Sequence, residues 1–215
     1  INYILHLAAG SHVNRSIKYP LEFVMDNVVG TCNILNYAKD QCNSLKLFLY
    51  FSTDEVFGPA PAGVTFKEND RYNAKNPYSA TKAGAEELCN AFANTYDLPI
   101  IITHTMNAFG PRQHLEKFIP LIIKKLQNDE MITIHSDKSG TKSSIRRYLF
   151  SADVAEAVRF LMFTHTIGEK YNVCANTEID NLTLAKKIAD LMGKELKYEL
   201  KYPAHNRPGN DFRYS

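Results

Sequence analysis

Apolar runs and helical stripes alternate along the first half of this chain. Residues 3–9, 46–52 and 98–104 are apolar runs of strand length, rich in Ile, Leu, Phe and Tyr, which read as buried strands. Between the first two, Leu21, Val24, Met25, Val28, Val29, Cys32, Leu35 and Ala38 recur at helical spacing and predict one helix over 21–38. Pro77 suits the first turn of a further helix, expected to run to about Tyr96. Strands alternating with helices of this length predict βα units and a parallel sheet. In such sheets ligands gather at the carboxyl ends of the strands. Three of those ends carry small or polar residues: Ala8-Ala9-Gly10-Ser11, Ser52-Thr53-Asp54-Glu55 and Met106-Asn107-Ala108-Phe109-Gly110.

Beyond Pro111 the texture changes. Helices are expected at about 117–128, 151–163 and 182–192, with short strands at 132–135, 147–150, 170–173 and 196–200. The expected fold class is α/β. Residues 1–110 form a Rossmann-like, doubly wound parallel sheet, and 111–215 form mainly a smaller α/β lobe that covers the substrate, with 147–163 returning to the first domain. Because the chain opens inside the apolar run Ile1–Ala9 without a Met, it is expected to be an internal piece of a longer enzyme.

Composition narrows the class. With 215 residues and a net charge of +2 there is enough apolar content for a core and no basic excess for a nucleic-acid or membrane-surface partner. Cys32, Cys42, Cys89 and Cys174 lack C-x-x-C spacing, and the seven His residues are dispersed, so no metal is expected. Scattered thiols fit a reducing compartment. No apolar run reaches the ~20 residues of a membrane span. The expectation is a cytoplasmic protein.

The chemistry concentrates in two stretches. Thr53-Asp54-Glu55 closes the second apolar run, and Tyr78-Ser-Ala-Thr-Lys82 is the only Tyr-x-x-x-Lys in the chain. Tyr78 and Lys82 are four apart and share a helix face. A phenol with a pKa near ~10 is a poor base at neutral pH. A neighbouring ammonium favours the phenolate, which then accepts a proton from an alcohol as hydride leaves. Two adjacent carboxyls in a closed pocket repel, so one is pushed towards its neutral form, as acid and base work requires. An exposed Tyr–Lys pair and a solvated Asp-Glu turn are the plain alternatives. The order strand end, long loop, helix favours catalysis.

The series His6-Leu-Ala-Ala-Gly-Ser-His-Val-Asn-Arg-Ser-Ile17, Ser52-Thr-Asp-Glu-Val-Phe-Gly58, Asn76-Pro-Tyr-Ser-Ala-Thr-Lys82, Glu116-Lys-Phe-Ile-Pro120, Tyr171-Asn172 and Arg207-Pro-Gly-Asn-Asp-Phe-Arg-Tyr214 resembles the extended short-chain dehydrogenases from end to end. Within them it is most similar to nucleotide-sugar 4,6-dehydratases, dTDP-D-glucose 4,6-dehydratase in particular. The Thr-Asp-Glu triplet is the specific element. The resemblance implies bound NAD, a nucleotide-sugar substrate and a homodimer through the helices at 21–38 and 77–96. It implies catalytic roles for Thr53, Asp54 (acid), Glu55 (base), Tyr78 and Lys82. Cofactor contacts are implied for Leu7, Ala8, Ala9, Gly10, Ser11, Asp26, Tyr78, Lys82 and Ala108. Substrate contacts are implied for Ser11, Thr53, Asn107, Glu116, Lys117, Thr133, His135, Arg146, Asn181, Arg207 and Asn210. The glycine-rich turn for the cofactor pyrophosphate is expected upstream of Ile1. Gly10, Asn14, Asp26, Ala108, Arg147 and Asn210 depart from the usual pattern, outside the catalytic set. A UDP-linked substrate, a 4-epimerase or decarboxylase on the same scaffold, and a non-catalytic dinucleotide-binding regulator stay open. The epimerase has no use for Asp54-Glu55, and a regulator is expected to lose Tyr78 or Lys82.

Overall fold

A computed structural model describes residues 1–202 and 212–215. The strands are β1 (Tyr3–His6), β2 (Leu47–Thr53), β3 (Ile100–Thr105), β4 (Ala108–Phe109), β5 (Ile132–His135), β6 (Ile145–Arg146), β7 (Leu149–Phe150), β8 (Lys170–Val173), β9 (Ile179–Asp180) and β10 (Tyr198–Lys201). The α-helices are α1 (Val13–Lys18), α2 (Pro20–Phe23), α3 (Gly30–Gln41), α4 (Pro77–Tyr96), α5 (Phe118–Gln127), α6 (Ser151–Thr164) and α7 (Asn181–Met192).

The main sheet runs β1-β2-β3-β8, and every pair in it is parallel. Side-chain alternation along β2 separates two cores. Phe48 and Tyr50 pack with Leu35 and Ala38 of α3 and with Ala85, Cys89 and Phe92 of α4. Leu47 and Leu49 pack on the opposite side with Ile101, Val158 and Leu161, so α6 covers that face. Helices on both faces make this the Rossmann-like α/β architecture expected from the sequence. A separate core joins Ile122 and Leu126 of α5, Ile132 and Ile134 of β5, and Ala185 and Ala189 of α7. There β5 pairs in parallel with β10. Strand β8 corrects the reading of 170–173 as a piece of the smaller lobe, because its residues pair with Ile102–Thr105 of β3.

The single helix expected over 21–38 is three segments. Between α2 and α3 lies a π-helical stretch, Val24–Val29. Inside it lies Asn27, a buried amide within the apolar stripe. Asn27 Oδ1 accepts from Gly10 N at 2.7 Å, while Nδ2 donates to Gly10 O at 3.0 Å and Thr81 Oγ1 at 2.9 Å. That trio ties the turn after β1 to α4, the helix that carries Tyr78 and Lys82. Such π insertions recur at functional sites.

Candidate active site

The turn that carries Asp54 and Glu55 forms because β2 ends on a residue that caps the next turn of chain. Thr53 is extended, and its Oγ1 accepts from Glu55 N at 3.3 Å, starting a single 3-10 turn over Asp54–Phe57. Gly58 ends the turn at φ 75, and a Cβ there would collide with the Asn73 carbonyl. Gly58→Ala is therefore expected to cost about 1–3 kcal/mol, read as a lowered urea midpoint. An unchanged midpoint would show that the chain accommodates the side chain.

On the facing helix, Asn76 caps α4 and Pro77 occupies its first turn. This places Tyr78 beside β2, with its backbone N–H on Ser16 Oγ at 3.1 Å. One cavity of about 360 Å³ collects Ser11, Ser52, Thr53, Asp54, Glu55, Tyr78, Thr105, Asn107, Ala108, Gln113, Lys117 and Tyr148 among its lining. Asn107 holds a positive φ of 28, which Asn tolerates better than most residues, and it turns the chain from β3 into β4.

Asp54 is 4 % exposed. Its Oδ1 accepts from Thr53 Oγ1 at 3.2 Å, and its Oδ2 is buried without a hydrogen-bond partner among the described residues. Burial first, then the Glu55 charge, push its pKa up to about 7, against the pull of Arg146. Glu55 Oε2 accepts from Asn76 Nδ2 at 3.1 Å. Burial, followed by Glu55, pushes Tyr78 up, and a Thr53 side-chain hydrogen bond acts the other way.

Lys82 departs from the expectation that its ammonium lies at the phenol. Its Nζ donates to Phe51 O at 2.5 Å and sits 4.2 Å from the centre of the Tyr50 ring. Burial lowers its pKa to about 8, opposed by Glu86.

The remaining expected residues divide. Ala8, Ala9, Gly10 and Asp26 line a second cavity of about 440 Å³ at the end of β1, with His6, Met25, Gly30 and Ile34, and Leu7 beside it is exposed. A Cβ on Gly10 would lie 3.2 Å from the Phe23 ring and 3.4 Å from Asp26 Oδ2, so glycine keeps this wall thin. Ala108 lines the cavity that holds Thr53 and Tyr78. Lys117 Nζ donates to Ser11 O at 3.3 Å, and His12 meets Glu116 at 3.1 Å, closing two loops over the cavity. Thr133, His135, Arg146 and Asn181 do not line it. Thr133 donates to Glu199 at 2.7 Å, and His135 ends β5. Arg146 lies over the Tyr214 ring at 4.7 Å and donates to Phe212 O at 3.0 Å. Asn181 accepts from Tyr148 OH at 2.9 Å, and so touches the cavity wall through Tyr148. Arg207 and Asn210 lie outside the described residues.

Several residues of this region carry no sequence signal of their own. Glu86, fully buried, accepts from Ser52 Oγ and Tyr72 OH and meets His104 Nε2 at 3.1 Å and Lys170 Nζ at 3.7 Å. The His104 hydrogen bond, despite burial, holds the Glu86 pKa down. This network locks the end of β2, one residue before Thr53. Among the described residues no cluster of His, Cys, Asp and Glu can hold a metal ion, and no helix is long and apolar enough to cross a membrane.

A doubly covered parallel sheet, with Thr-Asp-Glu at one strand end facing Tyr-x-x-x-Lys on the next helix, defines an extended short-chain dehydrogenase. A family model described as GDP-mannose 4,6 dehydratase matches residues 1–213, and the chain belongs to that family of nucleotide-sugar 4,6-dehydratases. It is 40% identical over 213 residues to the low-salt glycan biosynthesis protein Agl12 of Haloferax volcanii, covering 99% of this chain and 66% of the relative. It is 36% identical over 227 residues to dTDP-glucose 4,6-dehydratase of Xanthomonas campestris pv. campestris, covering 99% and 63%. The crystal structure of DesIV, a dTDP-glucose 4,6-dehydratase from Streptomyces venezuelae with NAD bound, superposes with a TM-score of 0.88 at 29% identity, covering 100% of this chain and 64% of that one. The chain thus spans just under two thirds of the length of these three proteins.

Proposed function

We propose that the full-length protein containing this chain is an NAD-dependent lyase that converts dTDP-D-glucose to dTDP-4-dehydro-6-deoxy-D-glucose. The observation that carries this reading is the pair Asp54 and Glu55 in one cavity with Tyr78. Burial and its neighbour keep Asp54 a proton donor near neutrality, while Asn76 donates to Glu55. A 4-epimerase needs no such pair.

The β1 cavity fits a dinucleotide. Ala8, Ala9 and Gly10 leave backbone accessible, and Asp26 offers a carboxylate to hydroxyl groups. Held there, NAD would supply the acceptor for the C4 hydride and the donor that gives it back to C6. Tyr78 takes the C4 hydroxyl proton, with Thr53 holding the same oxygen. Once C4 is a ketone the C5 proton is acidic, and Glu55 removes it. Asp54 protonates the C6 hydroxyl, which leaves as water. The proton gained by Tyr78 balances the one Asp54 gives up, and Glu55, after exchanging its proton with solvent, reprotonates C5. Lys82, its Nζ held on Phe51 O, ties α4 to β2 two residues before Thr53. A homodimer belongs to the same reading: Leu21 and Met25 are exposed at 71% and 52% along the helices expected to pair, and the mass in solution decides it.

Incubation of the full-length protein with dTDP-D-glucose tests the reading through the 4-keto-6-deoxy sugar, and no such product would refute it. Stability carries a further signature. A carboxyl raised from about 3.9 to about 7 binds its proton more tightly when folded. Its contribution is complete below the unfolded value and is lost as pH rises through 7. Asp54→Asn should then stabilise the protein by about 1–3 kcal/mol at pH 8 and little at pH 4. Equal effects at both pH values in urea unfolding would contradict this.

A further inference from the structure

Asn76 does more than begin a helix. It is buried, and its Oδ1 accepts from Ser79 N at 2.8 Å while Ser79 Oγ accepts from Asn76 N at 3.4 Å. With the carbonyl end of the amide committed to α4, the NH₂ end has one orientation left. Its Nδ2 donates to Glu55 Oε2 at 3.1 Å. Flipping the amide would set two oxygens against each other and abandon the cap. The helix that positions Tyr78 therefore also grips the neighbouring carboxylate, from a side chain two residues away on the same turn.

We propose that Asn76 is a positioning residue for Glu55, fixing the carboxylate and favouring its ionised form so that it accepts the C5 proton. This rests on the dehydratase reading. Among the described residues, other titratable or charged groups facing Glu55 include Asp54 on its own turn and Tyr78 on α4. Tyr214 from the C-terminal segment brings its OH to 3.5 Å of Oε2, and Arg146 of β6 acts on Asp54. Asn76 differs from all of them in being neutral at every pH, so its hydrogen bond persists through the titration of the others.

Two variants of the full-length protein separate positioning from capping. Asn76→Ser and Asn76→Asp each keep an oxygen acceptor for the helix, but neither keeps the amide donor. The readout is the pH dependence of solvent deuterium exchange at C5 of dTDP-D-glucose. Asn76→Ser should lower exchange about tenfold or more at an unchanged melting temperature. Asn76→Asp sets a carboxylate beside Glu55 and should move the acid limb upward by on the order of one pH unit. Wild-type profiles in both variants, or losses that track melting temperature alone, would reduce Asn76 to a cap and overturn the proposal. Absence of C5 exchange in the wild-type protein would instead sink the dehydratase reading, and this inference with it.

Discussion

Tyr78→Phe in the full-length protein should cut formation of the 4-keto sugar by on the order of 10²–10⁴ and leave sugar-nucleotide affinity within a fewfold of wild type. The ring that fills the cavity wall stays, and only the hydroxyl that accepts the C4 proton is lost. Burial and the Glu55 charge hold this phenol above its ordinary pKa, and Lys82 Nζ is engaged by Phe51 O. The charge that favours the phenolate therefore arrives with the bound nicotinium, and rate should climb with pH in the cofactor-loaded protein. Product formation by the Phe variant at the wild-type rate would remove Tyr78 from the chemistry.

Glu55→Gln should separate the two halves of the reaction. The amide keeps the shape of the side chain but no longer takes a proton, so deuterium exchange at C5 should fall by on the order of 10²–10⁴. Tyr78 and Thr53 are untouched, so substrate-dependent absorbance of reduced cofactor should still develop. Loss of both signals would place Glu55 in binding or in the first oxidation, and retention of both would make the carboxyl pair irrelevant.

Much of this arrangement is visible in the sequence because local signals agree there. Pro77 and the apolar spacing after it mark α4, which spans Pro77–Tyr96 as expected. The runs that become β2 and β3 are apolar on both faces, as strands covered on both sides must be. The segment 21–38 is different. Its apolar period is real, yet Asn27 turns inward to bind Gly10 and Thr81, and Gly10 and Thr81 are far from it in sequence. Periodicity cannot report a partner that only the tertiary fold supplies. The same reason hides the placement of β8: the short strand expected at 170–173 is there, but pairing with β3 puts it in the main sheet.

The candidate site divides along the same line. Thr53, Asp54, Glu55 and Tyr78 sit next to elements that the apolar pattern already locates, and they share one cavity. Thr133, His135, Arg146 and Asn181 rest on motif position alone, and none lines that cavity. Asn76 and Tyr214 bear on Glu55 through side-chain geometry across the fold. Asn76 has a local signal, an Asn just before Pro at a helix start, but that signal announces a cap and says nothing of a carboxylate.

The most direct test incubates the full-length protein in D₂O with dTDP-D-glucose and, separately, with UDP-D-glucose, and reads the products by mass and proton spectra. A 4-keto-6-deoxy sugar carrying one deuterium at C5 is the predicted result, faster from the dTDP-linked substrate. A C4 epimer with protium retained at C5, and no loss of water, would contradict the account.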